Sequence, residues 1–405
     1  MSLAARFPAT GPTGIDALLA ELAAVPAGGP LTVGDERVID FLSGVSKRLL
    51  DPAVTRRHPE LGPLGFFLRR AELLRALPAP ADGRRQPRGL IFHVPPANVD
   101  TIFAYSWALA ALTGNHNVVR LSARAAGAAE AVLAALNEAL AGAHPAIGQT
   151  QRIVTYGHDA EVTERLSAAC DLRVIWGGDR AVNDVRRHPI RPLARDLTFP
   201  DRASFAAVSV PGWAAADHDA RRAAAAAFAA DAYWFDQAAC ASPRAVYWIG
   251  PDLAAARARA EFDALLAAAV RDRGWAIEPA MAVQNRVGAY GAAADGTATA
   301  IGFVSDMVTT LDLAVPAAYP RARLGTGVFA HATLARLTDL AGVVDRRDQT
   351  LTYFGFSAEE LRDLATALAG RGIDRIVPFG AALSFSPVWD GYDLPREFTK
   401  IMTIR

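Results

Sequence analysis

The stretch Gly89–Ser122, GLIFHVPPANVDTIFAYSWALAALTGNHNVVRLS, decides the fold class. Its first apolar run, GLIFHV, predicts a buried strand that the loop PPANVD ends. Asp100 can cap the helix TIFAYSWALAAL, and Thr113-Gly114-Asn115 is a typical end for that helix. A second apolar run, NVVRLS, follows directly. Two short strands joined by a helix predict a parallel pair with a crossover connection.

The same alternation continues to about Val210. A long alanine-rich helix, about Ala125 to Leu140, precedes the strand RIVTY, and a helix around Val162–Ala169 precedes the strand LRVIW. Repeated strand–helix units predict an α/β protein with a doubly wound, Rossmann-like parallel sheet. Ligands of such sheets bind beyond the carboxyl ends of the strands. Three loops fall at those ends: PPANVD, the residues after NVVRLS, and GGDRAV.

The chain is expected to divide into four segments. They are a helical segment at 1–88 that packs on the next domain, the Rossmann-like domain at 89–210, a second α/β domain at 211–377, and a C-terminal segment at 378–405. Apolar residues at helical spacing predict helices over Val38–Leu49 and Phe67–Leu77. A glycine-rich stretch that ends near Thr299 is expected to be irregular. The C-terminal strand KIMTIR is expected to pair with a neighbouring subunit or another domain, in the cofactor or oligomerisation region.

The composition excludes several classes of protein. A chain of 405 residues that is 52% hydrophobic can build two or three domains with sizeable cores. Basic and acidic residues balance at 42 each, so the charge favours neither nucleic acid nor anionic membranes. Two cysteines cannot form a disulfide framework, which favours the cytoplasm. The N-terminal residues lack the apolar core of a signal peptide, and no run predicts a membrane span.

The stretch Asp231–Arg244, DAYWFDQAACASPR, contains Cys240, one of the two cysteines. A thiol between a helix and a buried strand, flanked by small residues, is a candidate nucleophile. The alternative is a buried thiol that acts as a small hydrophobe. That alternative is the expectation for Cys170, which precedes the strand LRVIW. Asp236 and Gln237 are expected either to orient the loop or to cap the incoming helix.

Polar and glycine residues in the strand-end loops are candidate ligand contacts. The Asn98 amide, which follows the first strand, can donate to a developing oxyanion or can complete an Asx turn. Gly177 and Gly178 open a helix, so their backbone can approach a phosphate, although a tight turn explains them equally well. Arg120 and Arg124 follow the second strand and can meet a ribose phosphate or remain solvated.

Four motifs, taken in order and spacing, resemble the LuxC-type acyl-CoA reductases. These are the fatty-acid reductases of bacterial bioluminescence, a family within the aldehyde dehydrogenase superfamily. The motifs are HVPPANVD with TGNHNVVRLS, VIWGGDRAV, FDQAACASP, and a closing block of DQTLTYFG, RIVPFG and WDGYDL. The resemblance extends from about Gly89 to the C-terminus. It implies an aldehyde dehydrogenase-like fold, with a Rossmann-like NAD(P)-binding domain and a catalytic domain that carries a nucleophilic cysteine.

The resemblance also implies residue roles. Cys240 matches the nucleophile, and Asn98 matches the oxyanion-hole amide. The turn Pro378–Gly380 matches a turn near the mouth of the active site. No metal is expected. The residues implied for cofactor binding are Arg120, Ser122, Gly177, Gly178 and Asp179.

The implied reaction is NADPH-dependent reduction of an acyl thioester to an aldehyde through a cysteine-bound acyl group, with NADH as the alternative cofactor. The substrate would be acyl-CoA or an acyl carrier protein, the chain a homo-oligomer, and an acyl-activating synthetase a partner. The superfamily's hydrolytic glutamate has no counterpart in RDLTFPDRASF, whose Asp196 receives no catalytic role. The alternatives are an acyl-phosphate reductase, an aldehyde-oxidising dehydrogenase and a non-catalytic subunit of an acyl-activating complex.

Overall fold

The computed structural model describes residues 3–78, 84–96, 101–123, 125–157 and 159–404. The chain forms two compact units. The first contains Met1–Pro200 and Phe385–Arg405, and the second contains Asp201–Ser384. The division therefore lies at Pro200, before the position expected from the sequence.

Helices and strands alternate along most of the chain. In chain order, its first part contains β1 (Ala4–Phe7), α1 (Ile15–Ala23), α2 (Glu36–Leu49), α3 (Pro52–Arg57), α4 (Gly62–Phe67), α5 (Arg70–Ala76), β2 (Arg84–Pro87), β3 (Leu90–Val94), α6 (Ile102–Leu112), β4 (His116–Arg120), α7 (Ala128–Leu140), α8 (Pro145–Thr150), β5 (Gln151–Thr155), α9 (Ala160–Ala169), β6 (Leu172–Trp176), α10 (Asp179–Arg186) and β7 (Arg195–Phe199). The second unit contains β8 (Ala203–Ser209), α11 (Val210–Ala215), α12 (His218–Tyr233), β9 (Pro243–Ile249), α13 (Asp252–Asp272), α14 (Pro279–Ala294), β10 (Ala298–Ser305), β11 (Val308–Leu313), β12 (Val328–Leu334), β13 (Asp348–Phe354), α15 (Ala358–Leu368) and β14 (Arg375–Pro378). The C-terminal segment contains β15 (Val388–Trp389), β16 (Tyr392–Asp393), α16 (Leu394–Glu397) and β17 (Thr399–Met402).

The first unit is built on a sheet with strand order β1-β5-β4-β3-β6-β7. All neighbouring strands run parallel except β1, which pairs antiparallel with β5. The strand order reverses at β3, because the chain moves to β4 and β5 on one side and to β6 and β7 on the other. Such a reversal is the usual ligand-binding position of a doubly wound sheet. The predicted α/β architecture is therefore confirmed.

The N-terminal segment covers one face of this sheet and also extends the sheet. Asp35 caps α2, since its side chain accepts a hydrogen bond from the Arg37 N–H. The apolar face of α2 packs into the same core as α6, every residue of which is buried. The helix predicted over Phe67–Leu77 is instead the pair α4 and α5, broken at Arg69, whose backbone is extended. The strand β1 was not predicted.

The second unit is built on a sheet with strand order β10-β11-β12-β9-β8-β13-β14. Neighbouring strands run parallel except β10 and β11, which form an antiparallel pair. The sequence analysis placed residues 203–209 in the Rossmann-like domain. In the structure they belong to the second unit, because β8 lies between β9 and β13. The sequence did not reveal this, since only three residues separate β8 from β7 and no sequence pattern marks a change of sheet between them.

One further expectation differs from the structure. The glycine-rich stretch before Thr299 is the helix α14, and Gly288 lets it pack closely, because a Cβ there would meet the Leu324 carbonyl oxygen at 2.8 Å. Close packing therefore overrides low helix propensity. The C-terminal strand β17 pairs antiparallel with β2, and both strands belong to the unit that contains the Rossmann-like sheet. Among the described residues, no helix is both long enough and apolar enough to cross a bilayer.

Candidate active site

Cys240 lies in the loop between α12 and β9 and is partly exposed, whereas Cys170 is buried. The Ser204 hydroxyl on β8 donates to the Cys240 carbonyl oxygen at 2.6 Å. The same hydroxyl oxygen accepts the Thr350 N–H of β13 at 3.1 Å. Ser204 is fully buried, so its hydroxyl fixes the Cys240 backbone to two strands. The sequence analysis missed this residue, whose only signal is a small polar side chain within an apolar strand.

The turn before Cys240 has an uncommon backbone. Phe235, Asp236 and Gln237 have φ angles of 56°, 53° and 58°, in the left-handed region that favours glycine. Three successive non-glycine residues in this region store strain, of roughly 1–2 kcal/mol each. Strain of this kind persists only where surrounding contacts enforce it, and it is frequent at functional sites.

Hydrogen bonds to Pro243 and to the 323–327 segment hold this turn in its conformation. The Gln237 amide nitrogen donates to the Pro243 carbonyl at 2.8 Å, and its oxygen accepts the Gly327 N–H at 2.8 Å. Arg323 and Thr326 both donate to the Asp236 carbonyl, at 3.0 and 3.1 Å. Gln237 therefore orients the loop, which is one of the two roles expected from the sequence. The Asp236 side chain is exposed, and its backbone carbonyl makes the described contacts.

Asp231, in the last turn of α12, connects the Cys240 loop to the turn that follows β14. Its buried carboxylate accepts the N–H groups of Gly380 and Ala382 at 2.7 and 2.9 Å. Its carbonyl accepts the Ser242 hydroxyl at 2.8 Å. Gly380 has φ of 87°, and a Cβ there would lie 3.1 Å from the Cβ of Ala227, so this close approach requires glycine. The expected turn Pro378–Gly380 is thus anchored to α12.

Burial raises the pKa of Asp231 to about 7, although the Gly380 and Ala382 N–H groups and the nearby Arg375 oppose the shift. A carboxyl whose pKa is higher in the folded state stabilises the fold fully below its unfolded value of about 3.9. That contribution is lost as pH rises towards 7. We expect the stability of the wild type relative to Asp231→Asn to fall by up to about 4 kcal/mol between pH 4 and 7. Urea unfolding across this pH range measures the difference.

The control for this experiment is Asp219→Asn, which removes an exposed carboxyl from the first turn of the same helix. Its stability curve should run parallel to that of the wild type. Parallel curves for Asp231→Asn as well would show that Asp231 does not titrate in this range.

The cofactor candidates of the first unit lie at the carboxyl ends of its parallel strands. Arg120 ends β4, where its guanidinium lies 4.9 Å from the centre of the Tyr156 ring and donates to the Gly157 carbonyl at 3.3 Å. Ser122 follows and is partly buried. Both residues are at the edge of the sheet where β3 reverses the strand order. The edge therefore presents a cation and a hydroxyl on the β4 side of the reversal.

The other three candidates follow β6, on the opposite side of β3. Gly177 has φ of 154° and donates its N–H to the Phe199 carbonyl at 3.1 Å. Gly178 is the N-cap of α10, and Asp179 is its exposed first residue. The glycines leave backbone accessible for a dinucleotide, while the Asp179 carboxylate suits a ribose hydroxyl better than a phosphate.

Two predicted site residues, Asn98 and Arg124, lie outside the described residues, as does Asp100. Asp196 lies within the described residues, and its carboxylate forms an ion pair with Arg173. It accepts two hydrogen bonds from Arg173, at 2.8 and 3.0 Å, and Arg173 is almost fully buried. This pairing agrees with the absence of a catalytic assignment for Asp196.

Cys170 is a core residue. It is fully buried, its Sγ donates to the Ser167 carbonyl at 3.3 Å, and burial raises its pKa to about 12. A thiol held neutral in this way is unreactive at neutral pH, because the thiolate is the nucleophile. Of the two thiols, Cys240 alone has the exposure that a nucleophile requires.

Comparison with solved structures shows the fold. The chain is similar to an NAD-dependent aldehyde dehydrogenase from Sinorhizobium meliloti, at 16% identity and a TM-score of 0.67, over 96% of this chain and 86% of that one. It is also similar to an aldehyde dehydrogenase from Mycobacterium tuberculosis complexed with NAD+, at 14% identity and 0.64, over 95% and 88% of the two chains. Aldehyde dehydrogenase 21 from Physcomitrella patens matches at 12% identity and 0.68, over 95% and 89%. The chain therefore has an aldehyde dehydrogenase-like fold.

Comparison of sequences shows the family. A curated long-chain acyl-protein thioester reductase from Aliivibrio fischeri is 30% identical over 173 residues, which is 42% of this chain and 34% of that protein. The chain thus matches about a third of the length of this relative. A sequence model of the acyl-CoA reductase (LuxC) family matches residues 76–286, just over half of the chain and inclusive of Cys240. On this match, the chain belongs to the acyl-CoA reductase (LuxC) family.

Proposed function

We propose that this protein reduces an acyl thioester to an aldehyde with NAD(P)H, through an acyl group carried on Cys240. The observation that carries the proposal is the setting of Cys240. It is a partly exposed thiol in a strained loop, and hydrogen bonds from β8 and the 323–327 segment hold that loop in place. The Aliivibrio fischeri relative, whose name states thioester reduction, supports the substrate class.

In the proposed reaction the Cys240 thiolate forms a bond to the acyl carbonyl carbon, and the bond from that carbon to the carrier sulfur breaks. The carrier takes up a proton and leaves as a thiol. Asn98 and the Cys240 N–H would donate to the oxyanion that forms on the carbonyl oxygen. Ser204 and Gln237 hold the Cys240 backbone, so the donor direction is set before substrate binds. After reduction the carbon–sulfur bond breaks, Sγ recovers its electron pair and the aldehyde departs.

The residues of the first unit fit a nicotinamide dinucleotide. The strand order reverses at β3, glycines follow β6 and the cation of Arg120 ends β4, which together form a typical setting for such a ligand. When bound, the reduced cofactor supplies the hydride. Arg120 and Ser122 would contact the adenosine ribose. Gly177, Gly178 and Asp179 would contact the dinucleotide from the opposite side of β3. A cation and a hydroxyl at the ribose favour NADPH over NADH.

Intact-mass spectrometry tests the proposal. Protein is incubated with acyl-CoAs of increasing chain length, with an acyl phosphate, and separately with an aldehyde and oxidised cofactor. We expect one acyl adduct per chain from the thioesters, located on Cys240 by peptide mapping, and its loss with aldehyde release on addition of NADPH or NADH. An adduct from acyl phosphate alone would replace the thioester assignment, and no adduct from any donor would favour a non-catalytic subunit.

The proposed reaction also suggests a partner enzyme, an oligomeric state and a location for the protein. A carrier-bound substrate implies an enzyme that activates the acyl group, so an acyl-activating synthetase is the proposed partner. A homo-oligomer in the cytoplasm is proposed as well. Size-exclusion chromatography with light scattering, alone and with such a synthetase, measures both associations.

A further inference from the structure

The strand β10 lies at one edge of the second sheet. Among the described strands it pairs only with β11, so the sheet leaves one row of its backbone N–H and C=O groups unused. Its pairing with β11 is irregular near both ends and regular from Ala300 to Phe303. The strand, ATAIGFVS, has eight residues and contains no charged residue and no proline. Long, uncharged edge strands are the usual sites of strand pairing between chains.

The other edges of the two main sheets carry features that discourage such pairing. The strand β14, at the opposite end of the same sheet, has only four residues and includes Arg375 and Pro378. In the first sheet, the edge strand β1 contains Arg6, and the edge strand β7 contains Arg195 and Asp196. Short length, charges and proline are common protections of sheet edges. Of these four edges, β10 alone has none of the three.

An exposed apolar surface continues from this edge onto α14. Three of its side chains recur at helical spacing on α14 and two lie on β10, and we call the set the α14–β10 surface: Val283, Val287, Tyr290, Phe303 and Val304. All five are between 42% and 66% exposed. The Tyr290 and Phe303 rings lie 6.0 Å apart, which joins the helix to the strand. Contiguous apolar surface of this kind marks an interaction site.

The charge of this surface does not select an acidic or a basic partner. Arg286 is the only charged residue in the two elements, and its guanidinium lies over the Phe303 ring, 5.1 Å from the ring centre. An acidic partner would find one cation here, and a basic partner would find no anion. Recognition therefore depends on apolar contact and on the free backbone groups of β10.

The size of the surface suits a pair of identical chains. The strand β10 and the helix α14 each extend about 25 Å, and one strand layer with one helix layer is about 20 Å thick. The edge thus offers a face of roughly 500 Å² before its relief is counted, near the roughly 600–1,000 Å² that each partner of a stable pair buries.

We propose that the α14–β10 surface joins this chain to a second copy of itself, through antiparallel pairing of the two β10 strands. A two-fold axis normal to the sheet makes identical strands antiparallel and keeps equivalent faces on the same side. The helix α14 covers the face of β10 that carries Ile301, since Ile301 packs with Ala289 and Ala292. The two copies of α14 therefore lie side by side, and their apolar stripes meet. The inference rests on the proposed homo-oligomer and assigns its interface.

Sedimentation velocity of the full chain over a wide range of concentrations tests this interface. We expect Val287→Lys and Val304→Lys each to raise the dissociation constant by about tenfold or more, because each buries an unpaired charge in the contact. The double variant should halve the number of chains in the assembly. Leu193→Lys makes the same change at an almost fully exposed leucine of the first unit and should leave association unchanged. Circular dichroism checks that all the variants are folded.

Hydrogen exchange of the wild type tests the interface without a substitution. Amides of β10 and α14 should exchange more slowly when the protein is associated than when it is dilute. Added salt should not weaken the association, because no opposite charges meet.

Three results would overturn the proposal: a monomeric wild type, an assembly that both folded lysine variants leave intact, or exchange in β10 that does not change with association. A failure of the reductase proposal is distinguishable, since it appears as missing acyl adducts on Cys240 while the association persists.

Discussion

Replacement of Cys240 by alanine is expected to abolish acyl-adduct formation and to lower thioester reduction by about 10⁴-fold or more. The reason is chemical: without Sγ, no atom of the loop can carry the acyl group between the loss of the carrier thiol and reduction. The fold should survive, because Cys240 is partly exposed and its carbonyl, which Ser204 holds, remains. Steady-state aldehyde formation and intact mass measure the two effects, and cofactor binding should be retained.

Cys170→Ala is the matched control, since it removes the other thiol from the core of the first unit. It is expected to lose roughly 1 kcal/mol of stability through the small cavity and to retain reduction. An acyl adduct on the Cys240→Ala protein would show that another residue is the nucleophile. Loss of the adduct in Cys170→Ala, with Cys240 intact and the protein folded, would contradict the assignment equally.

Replacement of Asp348 by alanine is expected to destabilise the second unit by about 3–5 kcal/mol. Asp348 is fully buried at the start of β13, where it accepts hydrogen bonds from Arg321 at 2.8 and 3.0 Å, from the Tyr319 hydroxyl, and from the Asp345 N–H at 2.7 Å. The alanine variant lacks the carboxylate that pairs with the Arg321 guanidinium. That guanidinium is only slightly exposed, so water cannot fully replace the lost partner. For a unit of this size we expect a fall in Tm of about 10 °C, measured by calorimetry.

Arg222→Ala serves as the control, because Arg222 forms an exposed pair with Asp219 in the same unit. Exposed pairs contribute little, so its Tm should stay close to that of the wild type. Asp348→Asn should fall between the two, since the amide keeps the volume and part of the hydrogen bonding without the charge. A change of less than about 1 kcal/mol in Asp348→Ala would show that Arg321 finds another partner.

Much of the first unit could be predicted because its signals are local. A short apolar run that ends in Pro, Gly or Asn, followed by a longer alanine-rich run, encodes one strand–helix unit, and such units predict a doubly wound sheet. The strands β3, β4, β5 and β6 lie where the pattern placed them. The distinction between Cys240 and Cys170 was equally local, since flanking residues indicate whether a thiol faces a loop or the core.

The supports of the candidate site could not be predicted in this way. Ser204 binds Cys240 and Thr350, and Asp231 binds Gly380 and Ala382, so most of these partners lie far apart in the sequence. A single sequence carries no record of which distant backbone groups meet a given polar side chain. Such residues look like ordinary small or acidic residues until the chain is folded.

The boundary between the units was missed for a related reason. The strands β7 and β8 follow one another closely in the sequence, and their local pattern does not state which sheet each one joins. By itself, the sequence determined the α/β class and the family, because these depend on local pattern and on motifs. Only the tertiary structure decided which distant groups hold the Cys240 loop in place. Those features depend on hydrogen bonds and charges that folding brings together from distant parts of the chain.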